Sequence, residues 1–145
     1  KVKDIIIIIR PYPIRISNET NIGKIIYSGD YSGSKEITWE EIRKRCNCPN
    51  NLTEQTTVTK KVRRVFEMNW DRLKYNVMIN QPTQIALNFA QYIDWDSYRC
   101  NNYDELSQKV KDFVNKIETE TNVPVTLIGT GERNCDIIDL RKEKM

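Results

Sequence analysis

Five consecutive isoleucines, Ile5 to Ile9, constrain this chain more than any other stretch. β-branched side chains favour extended backbone. An apolar run without polar alternation reads as a strand buried on both faces, the kind found inside parallel sheets. The run falls far short of the roughly 20 apolar residues of a membrane span. The next segment, RPYPIRI (Arg10 to Ile16), carries two prolines, which deny it a regular central strand or helix.

The rest of the chain supplies the partners such a strand needs. Thr38 and Glu41 form a T-x-x-E capping box that opens a short helix, with Trp39 and Ile42 on one side. The NCPNN segment, Asn47 to Asn51, stops it. Asn69 is expected to cap a second helix whose Trp70, Leu73, Val77 and Met78 share a face. Thr83 to Phe89 reads as a strand. Asn102 with Glu105 is expected to open the longest helix, with the stripe Leu106, Val110, Phe113, Val114 and Ile117. Pro124 to Gly131 is a strand running into a glycine turn, and Asp136 to Leu140 is a closing strand. Ser28 to Glu36 is a turn-rich loop. This alternation predicts an α/β fold, a mainly parallel sheet with flanking helices, as a single domain over 1–145.

Composition narrows the chemistry. With 145 residues, 30% of them charged and a net charge of +3, the chain resembles an ordinary globular domain and is too weakly basic to argue for nucleic acid. Histidine is absent, which removes Ser–His and Cys–His catalysis within these residues. Cys46 and Cys48 form a C-x-C pair without a second pair, so a zinc site is not expected. Reduced thiols and the lack of a signal-peptide pattern around Lys1 to Asp4 give a cytoplasmic expectation. Lys1 is not an initiator methionine, so either a tag or partner has been removed from ahead of it or this is the latter part of something longer.

Two segments carry candidate chemistry. TTVTKKVRRVF, Thr56 to Phe66, gathers Lys60, Lys61, Arg63 and Arg64 behind three threonines. It reads as a solvated loop, as a nucleic-acid contact, or as a site for a small dianion. Nucleic acid is the weak reading, because no aromatics interleave with the cations. For a dianion, Thr57 and Thr59 offer hydroxyls while Arg63 and Arg64 offer planar forks. The second segment, IGTGERN (Ile128 to Asn134), places Gly129, Thr130 and Gly131 at the end of a strand, where α/β proteins bind ligands.

Taken in order, RPYPIR, the T-x-T-basic-basic-x-R-R loop, MINQPTQIAL, the long helix, NVPVTLIGTGERN and DIIDL resemble the C-terminal part of an adenylosuccinate synthetase. RPYPIR looks more like the archaeal and phage branch than the common bacterial form. The resemblance implies a P-loop-related fold and a carbon–nitrogen ligase that joins L-aspartate to a 6-oxopurine monophosphate. A nucleoside triphosphate phosphorylates the purine O6, and the aspartate amine then displaces the phosphate. It also implies Mg²⁺, held mainly by an N-terminal half, and a homodimer or a complex with that half. The phosphate loop and the catalytic aspartate and histidine of the family belong to that half. They have no counterpart here, so this chain by itself is not expected to transfer phosphate. No catalytic or metal-binding residue is expected within it.

Carried across by position, Thr57, Thr59, Lys61 and Arg63 fall in the loop that grips aspartate, and one arginine of that loop also reaches the nucleotide. Lys61 departs from the family's arginine and cannot form a bidentate fork. The guanine-reading T-K-x-D element aligns with Asn88-Phe89-Ala90-Gln91. An aspartate there accepts two hydrogen bonds from guanine; Gln91 offers one acceptor and one donor, which suits an adenine edge. Phe89 replaces a lysine and can stack on a base. ATP or dATP, rather than GTP, is therefore the expected co-substrate, a trait of the phage-type relatives that act on dGMP rather than IMP. Gly129, Thr130 and Gly131 match the turn against that base. The alternative is a non-catalytic nucleotide-binding or regulatory module that retains the fold.

Overall fold

The computed structural model describes residues 2–21, 24–26, 29, 31 and 33–145, with 19–21 and 24–26 described as backbone only. The chain forms two compact units, one made of Lys1–Pro11 and Trp70–Met145, the other of Tyr12–Asn69.

The first unit holds a four-stranded sheet in the order β1-β7-β8-β9, with strands β1 (Ile6–Ile9), β7 (Gln84–Leu87), β8 (Val125–Gly129) and β9 (Ile137–Asp139). β1, β7 and β8 run parallel and β9 is antiparallel, so the sheet is mostly parallel, as expected. Helices α2 (Trp70–Asn80) and α3 (Gln108–Thr121) supply cover, and a short α4 (Arg141–Lys144) follows β9. Val110, Val114 and Ile117 of α3 are buried with Ile85, Leu87, Val125, Ile128 and Ile138 in one cluster.

Three expectations need correction. β1 is not buried on both faces: it pairs with β7 alone and lies at the sheet edge, so Ile7 and Ile9 are half-buried while Ile6 and Ile8 are exposed. Met78 does not share the buried face of α2. At about 100° per residue it stands roughly 80° round from Trp70, and it is 61% exposed. The long helix starts at Gln108, not after Asn102. Asn102 accepts from the Asp104 N–H at 3.0 Å and caps only a single 3₁₀ turn; Ser107 is the cap of α3.

β7 and β8 do not pair residue for residue. Ile85 faces Val125, Ala86 faces Leu127, and Leu87 faces Ile128, so Thr126 is the extra residue of a bulge. Its hydroxyl donates to Gln84 Oε1 at 2.5 Å and fixes the irregularity from within the sheet.

The second unit contains an antiparallel sheet, β2 (Ile14–Arg15), β6 (Arg64–Phe66) and β5 (Glu36–Ile37) in that order, and a hairpin of β3 (Glu19–Asn21) and β4 (Lys24–Ile26). Helix α1 (Trp39–Cys46) begins at the capping box read from the sequence: Glu41 N–H donates to Thr38 Oγ1 at 3.1 Å, and Thr38 N–H donates to Glu41 Oε2 at 2.7 Å. Trp39, Ile42 and Cys46 are its buried residues, and Asn47, left-handed with φ 58°, ends it. The turn-rich loop at 28–36 lies partly outside the described residues.

Candidate functional site

The residues singled out in the sequence fall on both units. Thr57, Thr59, Lys61 and Arg63 belong to the second; Phe89, Gln91, Gly129, Thr130 and Gly131 belong to the first.

The basic loop is a hairpin. Gln55 bridges Val62 antiparallel, Thr56 N–H donates to the Lys61 carbonyl at 2.9 Å, and Arg63 N–H donates to the Glu54 carbonyl at 2.9 Å. Thr56, not one of the predicted contacts, organises the tip: its hydroxyl accepts from Lys61 N–H at 3.0 Å and lies 2.6 Å from Thr59 Oγ1. Thr57, Thr59 and Lys60 are exposed, Lys60 with φ 55°, and Lys61 is half-buried. Val62 is exposed.

The two adjacent arginines behave differently. Arg64 is spent on structure. It forms a bidentate pair with Glu36 at 2.8 and 2.7 Å, donates to the Gly29 carbonyl at 2.9 Å, and lies over the Phe66 ring. That pairing holds the Glu36 carboxyl below its ordinary range. Arg63 is held by its backbone instead. Its carbonyl accepts from the Trp39 indole N–H at 2.7 Å, and Glu54 stands 3.9 Å from its guanidinium. Its Nε is buried and has no hydrogen-bond partner. A buried donor left unsatisfied costs about 1–3 kcal/mol, so this is a group to which an anion has something to offer.

In the first unit, two turns follow the carboxyl ends of neighbouring strands. After β7 the backbone leaves the sheet at Asn88, and Phe89 takes a left-handed conformation, φ 62° and ψ 36°. A bulky residue there costs on the order of 1–3 kcal/mol, and such strain gathers at functional sites. The Phe89 ring sits 4.2 Å from the Arg10 guanidinium carbon and 5.2 Å from the Tyr92 ring centroid. Gln91 lies in the 3₁₀ turn that follows. It is only 7% exposed, and its Oε1 is buried without a hydrogen-bond partner.

After β8 comes Gly129-Thr130-Gly131. Both glycines are required by close approach. A Cβ on Gly129 would stand 2.7 Å from Asn88 Oδ1, and one on Gly131 would collide with the Asp136 carboxylate. Thr130 is fully buried and fully engaged. Its hydroxyl contacts the Cys100 carbonyl at 2.6 Å, its N–H donates to the Asp136 carbonyl at 2.9 Å, and its own carbonyl accepts from Arg99 N–H at 3.1 Å. Thr130 therefore shapes the turn. Asp136, also buried, accepts from Arg133 N–H at 3.0 Å and Arg133 Nη2 at 2.6 Å, and those bonds lower its carboxyl to about 2. Arg99 pairs with Glu132, which also accepts from the Tyr98 hydroxyl.

Asn88, Asp136, Thr56 and Trp39 were not singled out as site residues from the sequence. For Asn88 and Asp136 the available signal was the glycine pair itself, since a glycine at the end of a strand often marks a neighbour that must come close.

Aligned over all 145 residues, the chain is 31% identical to the adenylosuccinate synthetase of Archaeoglobus fulgidus and 34% identical to that of Methanosphaera stadtmanae. The chain is homologous to the adenylosuccinate synthetases. It spans 38% of the length of each of those two relatives. The enzyme of Methanocaldococcus jannaschii is 33% identical over 143 residues. Among solved structures, the succinoaminodeoxyadenylate synthetase of cyanophage S-2L, bound to dGMP and to dATP as an energy donor, superposes with a TM-score of 0.66 at 27% identity; 91% of this chain and 32% of that one are covered. The fully ligated Plasmodium falciparum adenylosuccinate synthetase has the same fold, with a TM-score of 0.64 at 16% identity over 90% of this chain and 38% of that one. No protein-family model matches the chain. These relatives make it a homologue of purine-nucleotide ligases.

Among the described residues, no three His, Cys, Asp or Glu side chains gather to hold a metal ion. Among the described residues no helix is long and apolar enough to cross a membrane.

Proposed function

We propose that the chain is the C-terminal, aspartate- and base-binding portion of a ligase that condenses L-aspartate with a 6-oxopurine monophosphate, IMP or dGMP, at the expense of ATP or dATP rather than GTP. The observation that carries the reading is Gln91, a buried carboxamide whose oxygen has no partner, in a turn entered through a strained Phe89. A carboxamide presents an acceptor beside a donor. Adenine presents an amino donor beside a ring acceptor; guanine presents two donors on the matching edge. Gln91 satisfies the first edge and leaves the second half-paired.

The other residues take complementary parts. Phe89 stacks on the base, with Arg10 against its ring, and Gly129, Thr130 and Gly131 form the turn that lies along it. Arg63 forks onto one carboxylate of aspartate, Lys61 adds a point charge, and Thr57 and Thr59 donate hydroxyl hydrogen bonds. Transfer of the terminal phosphoryl group to the purine O6, and its displacement by the aspartate amine, depend on the phosphate loop and catalytic residues of the portion these residues do not span. The complete ligase is a cytoplasmic homodimer that uses Mg²⁺.

The test supplies the remaining portion of the Archaeoglobus fulgidus relative and measures phosphate release with aspartate and either IMP or dGMP. ATP is expected to exceed GTP by at least about tenfold in kcat/KM, the loss that leaving a buried polar group unpaired produces. Gln91→Asp is expected to reverse the preference. A wild-type preference for GTP overturns the base assignment, and no turnover with any nucleotide favours the non-catalytic module.

A further inference from the structure

Asn88 brings a group to the two turns that the base reading leaves unused. The chain leaves β7 at this residue, and its N–H is spent on the Ile9 carbonyl at 2.9 Å. Its side chain is exposed and makes no hydrogen bond or ion pair among the described residues. It is nevertheless held in place. The carboxamide fills the space where a side chain on Gly129 would stand: a Cβ there would lie 2.7 Å from Oδ1 and 3.5 Å from Cγ. β8 therefore ends in a glycine whose missing side chain makes room for a polar group of the neighbouring strand.

A carboxamide fixed by contact alone keeps both its acceptor and its donor for a ligand. The neighbouring residues say which ligand. Phe89 follows, left-handed with φ 62° and half-buried, and Gln91 stands in the next turn with its own carboxamide oxygen buried and unpartnered. Two carboxamides thus bracket one aromatic ring along the chain. A purine stacked on that ring has two hydrogen-bonding edges. On adenine the two edges carry the same pattern. The N6 amino group has one hydrogen beside the ring acceptor N1 and one beside the ring acceptor N7, so each edge is the complement of a carboxamide. Guanine presents O6 and N7, two acceptors, on the N7 edge, and an acceptor would then face the Asn88 oxygen.

We propose that Asn88 is a second base-reading residue. It pairs with N6 and N7 of an adenine nucleotide while Gln91 pairs with N6 and N1, so that the site reads adenine from both edges. This rests on the base reading above and deepens it. Gly129 serves it by what it lacks, since any side chain there would displace the Asn88 carboxamide.

7-Deaza-ATP, in which N7 is replaced by C–H, tests the assignment without touching the edge given to Gln91. The chain is assembled with the remaining portion of the Archaeoglobus fulgidus relative, and phosphate release is measured with ATP, 7-deaza-ATP and GTP. In the wild type kcat/KM is expected to fall at least about fivefold from ATP to 7-deaza-ATP, the lower end of what a bidentate carboxamide–adenine pair contributes. Asn88→Ala is expected to bring ATP down to the 7-deaza-ATP value through the nucleotide KM, to lose nothing further with 7-deaza-ATP, and to leave the KM for aspartate unchanged. Gln91→Ala is expected to weaken ATP yet keep the ratio of ATP to 7-deaza-ATP, which separates the two carboxamides. Equal kcat/KM for ATP and 7-deaza-ATP in the wild type overturns the proposal, and a preference for ATP over GTP in the same enzyme leaves the base reading standing. A preference for GTP overturns both. If the assembled enzyme does not turn over, calorimetric binding of ATP and 7-deaza-ATP to the assembly replaces the rate; equal affinities, or binding of neither, overturn the proposal.

Discussion

The Trp39 indole N–H donates to the Arg63 carbonyl at 2.7 Å, tying the first residue of α1 to the one arginine of the basic loop whose Nε is buried without a partner. Trp39→Phe keeps the apolar bulk and removes the donor. The loss is expected to cost about 1–2 kcal/mol in urea unfolding and to weaken aspartate binding by calorimetry several-fold. Arg63→Ala is expected to abolish aspartate binding with less effect on stability. Equal aspartate affinity in Trp39→Phe and wild type refutes the link.

Helix α1 can be weakened at its other support. Thr38→Ala removes the hydroxyl that caps Glu41 N–H and is expected to lower stability by about 0.5–2 kcal/mol; Thr38→Ser is expected to restore most of it. Urea titration at neutral pH reads both.

Gly129 and Asn88 form a pair that can be tested as one. Gly129→Ala places a methyl 2.7 Å from Asn88 Oδ1 and is expected to cost about 1–3 kcal/mol as overpacking. Adding Asn88→Ala is expected to recover a large part, giving a non-additive cycle. Additive losses would mean that some other contact excludes the side chain.

Asp136 gives the turn a pH dependence. Arg133 holds its carboxyl at about 2, below the ordinary carboxylate value. A depressed acid contributes stability that is whole above the unfolded value, near pH 4, and is lost as pH falls toward 2. Asp136→Asn is therefore expected to flatten the acid limb of the unfolding profile in that window and to destabilise the turn at neutral pH. A wild-type acid limb in the variant would exclude Asp136 as its source.

Local signals were legible in the chain. The Thr38–Glu41 box, the Val110, Val114 and Ile117 stripe and the Gly-Thr-Gly bend all follow from short-range rules, and each occurs where expected. What was hidden depends on residues far apart in sequence. Ile5 to Ile9 looks doubly buried because its composition reports β-propensity, not the number of neighbouring strands. Asn102 competed with Ser107 as a cap; in the fold Leu106, buried and extended, separates the 3₁₀ turn from α3, and Ser107 N–H is held by the hydroxyl of Ser97, ten residues back. Arg63 and Arg64 are chemically alike on paper. Glu36, which separates their roles, lies 28 residues before Arg64.

Thr126 is surplus to the ladder: the pairs Ala86–Leu127 and Leu87–Ile128 that follow it are the ones a bulge-free strand would also make. Deleting it would keep each later residue of β8 on its present face and carry off only the bulge and the buried bond to Gln84. The Gly-Thr-Gly bend would then lose the extra local twist that the bulge gives the end of its strand, and nothing else.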